Sequence, residues 1–166
     1  SGDDSKNIES FLFLFNWLNK NNKKKPKTIV HLRATAPLIT AKEIDESLKF
    51  FIRSKADSLK SINLAKDPPY KMWKIDKKGY LETFVKNSKH SELWNYPRQK
   101  LPQVYHQNAQ IDIFRFDLLE RKTISGKKII PFILKNKIDI DDERDLLNAE
   151  ILIQRKKRRK KLRFNL

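Results

Sequence analysis

The chain has 166 residues, 37 of them basic and 20 acidic, and a formal net charge of +17. It contains no cysteine, which excludes a disulfide scaffold, a Cys-ligated zinc site and a thiol nucleophile. Its three glycines, Gly2, Gly79 and Gly126, lie far apart, which excludes a Gly-rich phosphate loop, while 39% hydrophobic residues suit one globular domain.

Ser1 to Ser5 reads as a cap-like stretch. Ile8, Phe11, Leu12, Phe15 and Leu18 then recur at helical spacing. Phe13, Leu14 and Trp17 make this helix apolar nearly all round, so burial on more than one side is expected. The apolar run from Phe11 to Leu18, broken by Asn16, is too short to span a bilayer and lacks the flanks of a signal peptide. The expectation is a soluble, cytoplasmic protein with no membrane partner.

Asn19 to Lys27 is a Lys-rich connection, and Thr28 to Leu32 is short, apolar and β-branched without alternation. That pattern predicts a strand of a parallel sheet covered on both faces. Arg33 to Leu38 reads as a loop. Thr40 and Glu43 have capping-box spacing, and Ile44, Leu48 and Phe51 give the following helix its buried stripe. Ser58 to Leu64 is a second predicted strand. This order of elements is the grammar of an α/β layered domain.

Residues 67–108 depart from it. Four prolines and short aromatic stretches predict an excursion, with Lys71–Ile75 and Tyr80–Val85 forming a hairpin whose exposed aromatics suit a subunit contact. Gln110–Phe114 and Ile129–Leu134 return as strands. Asp142–Gln154 is the last helix, with Leu146, Ala149, Ile151 and Ile153 available for packing. Arg155 to Arg163 holds eight basic residues and no acidic one; taking these away from +17 leaves +9 on the body. The tail extends the helix or is solvated, and a nucleic-acid contact there is the less favoured reading.

Three places could carry chemistry. Alternate residues of an extended segment point the same way, so Asp139 and Asp141 can aim two carboxylates at one point and hold Mg²⁺, Mn²⁺ or Ca²⁺. The plainer alternative has Asp141 capping the last helix and Asp139 solvated. Arg33 and Thr35 leave the C-terminal end of a presumed parallel strand, where α/β folds bind ligands, and Arg33 offers a planar fork to a carboxylate or phosphate. Arg98 to Asn108 is dense in hydrogen-bond donors, although a polar loop is the plainer reading. His31, His90 and His106 have no metal-ligand spacing, and His31 reads as a packed side chain.

In order, these pieces resemble the acylneuraminate cytidylyltransferase family, the CMP-sialic acid synthetases. His31 to Leu38 is similar to the family's Leu-(Gln/Arg)-Pro-Thr-Ser-Pro-Leu block, and Pro69-Tyr70-Lys71-Met72-Trp73 to its Pro-Tyr-Lys hairpin. Arg98 to Asn108 is similar to its Arg-Gln-x-Leu-Pro block ending in Asn-Gly. Asp139-Ile140-Asp141 with Asp145-Leu146 and Ala149-Glu150 is similar to its Asp-Ile-Asp helix start. The likeness runs from about Ser1 to Ile153.

What the resemblance implies is an α/β three-layer sandwich of the nucleotide-diphospho-sugar transferase (Rossmann-like) type. It would be incomplete at the N-terminus, since the family's Gly-rich phosphate loop has no counterpart. Residues 1–153 would be the partial domain, 67–108 its β-hairpin dimerisation excursion and 154–166 a basic tail. The implied reaction transfers CMP from CTP to an acidic nonulosonate-type sugar, releasing pyrophosphate. Asp139 and Asp141 would hold Mg²⁺ or Mn²⁺; Arg33, Thr35, Lys71, Arg98, Gln99 and Asn108 would bind substrate; the assembly would be a homodimer. Lys71 and Arg98 would reach the partner subunit's site. This chain alone is expected to be inactive, and a non-catalytic remnant is the alternative. Ala34, Arg33, Ala109 and Asp112 depart from the family pattern, and Asp112 would bring a negative charge towards a site meant for a carboxylate.

Overall fold

The computed structural model describes residues 7–85, 92–134 and 138–164. His90 lies outside them. Three α-helices and six strands occur among these residues: α1 (Asn7–Lys20), β1 (Thr28–Leu32), α2 (Ala41–Ser54), β2 (Ser58–Leu64), β3 (Trp73–Ile75), β4 (Leu81–Thr83), β5 (Tyr105–Arg115), β6 (Ile129–Ile133) and α3 (Glu143–Phe164). Two compact units result. One comprises residues 1–61 and 108–166, the other residues 62–107.

The first unit is built on a four-stranded sheet in the order β1-β5-β2-β6. β5 lies antiparallel to β1, with Leu32 opposite Ile111 and Thr28 opposite Arg115. It is also antiparallel to β2: the Arg115 amide donates to the Asp57 carbonyl (3.1 Å), and the Ile111 amide to the Ser61 hydroxyl (2.8 Å) four residues on. β6 starts beside the start of β2, where the Asp57 amide donates to the Lys128 carbonyl (2.9 Å). The sheet is therefore mixed. The apolar run of β1 does not come from an all-parallel environment; it comes from being covered on both faces.

Period-two alternation divides the covering. Val30, Ile111, Ile113 and Leu59 pack with Ile44, Leu48 and Phe51 of α2. Ile29 and Phe114 pack on the opposite face with Phe11, Leu12, Phe15 and Leu18 of α1. Helix, sheet and helix make three layers, as the resemblance implies. Thr40 caps α2 through the expected box: the Glu43 amide donates to Thr40 Oγ1 (3.3 Å), and the Thr40 amide donates to Glu43 Oε2 (2.9 Å).

Two packing expectations are corrected. α1 is covered on one side only, leaving Phe13 73% and Trp17 47% exposed, because the sheet offers it a single face. In α3, Ala149 is buried, whereas Leu146 and Ile151 are exposed, so helical spacing overstates how much of that helix is covered. The backbone of the basic tail is helical to Phe164. No helix among the described residues is long and apolar enough to cross a membrane.

In the second unit β3 and β4 pair antiparallel, Trp73 opposite Thr83, in a hairpin shorter than expected. Pro69–Lys71 forms a 3-10 turn in place of the start of its first strand. Asp76 receives the amides of Lys78 and Tyr80 (both 2.8 Å), and Gly79 takes the left-handed conformation that completes the turn. Trp73 rests against Trp94, ring centroids 4.8 Å apart.

Candidate functional site

β1 ends at Leu32, and the chain turns at once, the Ala36 amide donating to the Arg33 carbonyl (3.1 Å). The segment preceding α3 docks on this turn: the Ile140 amide donates to the Thr35 carbonyl (2.8 Å). Arg33, Thr35, Asp139 and Asp141, separated by a hundred residues of sequence, thus share one end of the sheet. Because β5 is antiparallel to β1, Asn108 near its start lies at the same end.

Several side chains here hold a polar atom that is buried and without a hydrogen-bond partner: Arg33 Nε, Asn108 Nδ2, Asp112 Oδ1 and Asp139 Oδ1. Each such atom costs about 1–3 kcal/mol, and native folds hold few of them. Arg33, Asn108 and Asp139 are half-buried as residues. Asn108 is otherwise held firmly. Its Oδ1 accepts from Ser61 Oγ (2.6 Å) and from the Gln110 amide (3.3 Å). Ala109 beside it has φ +49°, the left-handed region that a glycine would occupy freely.

Asp141 does not cap α3. Asp142 does, accepting the Asp145 amide at 2.9 Å, while Asp145 Oδ2 accepts the Asp141 amide (3.3 Å). The Asp141 carboxylate is exposed and makes no ion pair among the described residues. Asp139 and Asp141 therefore offer one partly buried and one solvated carboxylate. No group of three or more potential metal ligands occurs among the described residues. Two carboxylates do fit Mg²⁺, which usually keeps waters and takes its other ligands from substrate phosphates.

Asp112 corrects a concern raised by the sequence. It lies in the middle of the sheet, paired with Lys60 of β2 (Nζ–Oδ2 3.2 Å), the two side chains 5% and 13% exposed. Its charge is compensated within the fold by Lys60. His31 stands opposite it on β1 and meets Phe11 edge-on, ring centroids 5.1 Å apart. Burial draws the imidazole below its ordinary range; Asp112 pulls the other way, and Arg33 and Lys60 add to the lowering. Neither Lys60 nor Ser61 was singled out from sequence. The available signal was an aspartate inside an apolar strand, which demands a neighbouring cation.

Lys71, Arg98 and Gln99 belong to the second unit. Lys71 Nζ donates to the Trp94 carbonyl (3.0 Å). Arg98 donates to the Lys66 carbonyl (3.2 Å) and to Asp67 Oδ1 (2.8 Å). Gln99 is exposed in the 3-10 turn Arg98–Lys100.

No family model matches the chain. It is 30% identical over 133 residues to the post-translational flagellin modification protein B of Campylobacter coli, a match that takes in 78% of this chain and 54% of that protein. The chain thus spans about half the length of that curated relative. Among solved structures it is similar to a 4-diphosphocytidyl-2C-methyl-D-erythritol synthase from Anaerococcus prevotii, with a TM-score of 0.56, 13% identity, 91% of this chain covered and 68% of that one. The chain accordingly has the α/β fold of that synthase.

Proposed function

We propose that the chain is the sugar- and metal-binding portion of a cytidylyltransferase that moves CMP from CTP to an acidic nonulosonate-type sugar. The observation that carries the reading is the docking of Asp139-Ile140-Asp141 on the Arg33–Thr35 turn, with an unpartnered donor on Arg33 and an unpartnered acceptor on Asp139. A cationic fork beside acidic metal ligands suits a reaction between an anionic sugar and a nucleoside triphosphate. The anomeric oxygen bonds to the α-phosphorus, the bond to the bridging oxygen breaks, pyrophosphate leaves, and the anomeric proton passes to solvent. Such transfers need positioning and charge neutralisation more than a covalent intermediate.

In this reading Asp139 and Asp141 hold Mg²⁺ or Mn²⁺, which neutralises charge on the transferred phosphate. Arg33 takes the sugar carboxylate, Thr35 and Asn108 its hydroxyls. Lys71, Arg98 and Gln99 serve the site of a second copy, joined through the hairpin, where Ile75, Tyr80, Leu81 and Phe84 are exposed. The Campylobacter relative is named for flagellin modification; a CMP-activated sugar is a donor that protein modification could consume. In this reading the chain alone is expected not to turn over CTP, since its three scattered glycines form no Gly-rich phosphate loop.

Calorimetric titration with CMP-N-acetylneuraminate in Mg²⁺ tests this. Binding that weakens at least tenfold in Asp139→Asn and without Mg²⁺ supports the reading. Absence of binding by the wild-type chain, or binding indifferent to both changes, refutes it.

A further inference from the structure

A cavity lies at the opposite end of β1, a strand length or roughly 15 Å from Arg33. It is an open groove of about 620 Å³, within the range of small-molecule sites. Buried Phe51, Ala56 and Phe116 form its floor, and Ile52, 64% exposed, an apolar wall. The rim carries Lys25, Lys27, Lys55 and Arg115 against Asp117 and Glu120. These charges are not equally available. Arg115 is held by Asp117 through two hydrogen bonds (2.7 and 3.2 Å), and Lys25 lies over the Phe15 ring at 5.3 Å. Lys27 and Lys55 make no ion pair with any described residue.

Two unpaired ammonium groups beside an apolar floor select a particular chemistry. A neutral apolar ligand would leave both ammonium groups without a partner, and two positive charges on the rim disfavour a cation. A bare anion would leave Ile52 and the phenyl floor in water. We propose that this groove binds a small anion with an apolar body: an aryl or short acyl carboxylate, sulfonate or phosphate ester. The assignment is independent of the cytidylyltransferase reading, because no residue of the groove belongs to the site around Arg33.

Three probes separate body from charge: 1-naphthalenesulfonate has both, 1-naphthol the body alone, inorganic phosphate the charge alone. They are titrated into the full chain by calorimetry at about 0.15 M salt, with methyl NMR locating the site. The expected result is one site for the sulfonate that shifts the Ile52 and Ala56 methyls, with naphthol and phosphate at least tenfold weaker. Lys27→Glu with Lys55→Glu should lower sulfonate affinity at least tenfold while the melting temperature holds. No sulfonate binding, equal binding of naphthol, shifts elsewhere, or undiminished binding by the double variant would each overturn the assignment.

Discussion

Replacing Lys60 by Met tests how the sheet tolerates a charge behind the Arg33 turn. Lys60 Nζ is 3.2 Å from Asp112 Oδ2, the pair is almost wholly enclosed, and Asp112 Oδ1 has no partner of its own. Removing the ammonium leaves an uncompensated carboxylate inside the sheet. Breaking a buried pair on one side costs about 3–5 kcal/mol. For a chain of this size 1 kcal/mol moves the melting temperature by roughly 2–4 °C, so a fall of about 6–20 °C is expected. Lys60→Met combined with Asp112→Leu removes both charges and fills similar space; it should lie within about 1 kcal/mol of the wild type or above it. Urea unfolding at neutral pH, followed by circular dichroism, gives both values. A single variant within about 1 kcal/mol of wild type, or a double variant as unstable as the single, would refute the claim that Lys60 is present to neutralise Asp112.

Two further outcomes follow from the same neighbourhood. Ala109→Gly relieves a left-handed residue in β5 and should raise stability by about 1 kcal/mol in urea unfolding, whereas no gain would mean that the conformation is unstrained. His31 titrates below its ordinary value of 6.5 in the fold. As pH falls from neutral, the unfolded chain takes up this proton first, so stability declines from the ordinary histidine range down to the folded value. His31→Gln should flatten unfolding free energy against pH over that interval; an unchanged slope would assign the dependence to another group.

The legible part of the fold was its local chemistry. Thr40 and Glu43 announce a helix start whatever surrounds them, and the spacing of Ile44, Leu48 and Phe51 names the face that α2 buries. Strand direction was not legible. Thr28–Leu32 has the same apolar run in a parallel or a mixed sheet, because the run reports two covered faces and is blind to the neighbour's direction. The outer faces of α1 and α3 are not legible for a related reason: Phe13, Trp17, Leu146 and Ile151 are apolar enough to be buried, but the fold leaves them uncovered. At the candidate site, residue type and spacing single out Arg33 and Asp139, whereas Asn108 enters only through the family resemblance. The lysine facing Asp112 is not legible, since a cation three strands earlier in the chain becomes its neighbour only through the order β5-β2.

Manganese provides the most direct test of the central claim, that Asp139 and Asp141 bring a divalent ion to the turn bearing Arg33. Mn²⁺ added to the isotopically labelled chain with CMP-N-acetylneuraminate broadens the amide resonances of residues within a short radius of the ion. The account predicts joint broadening of residues 33–35 and 138–141, abolished by Asp139→Asn. Broadening confined to exposed acids elsewhere, or unchanged in that variant, would contradict it.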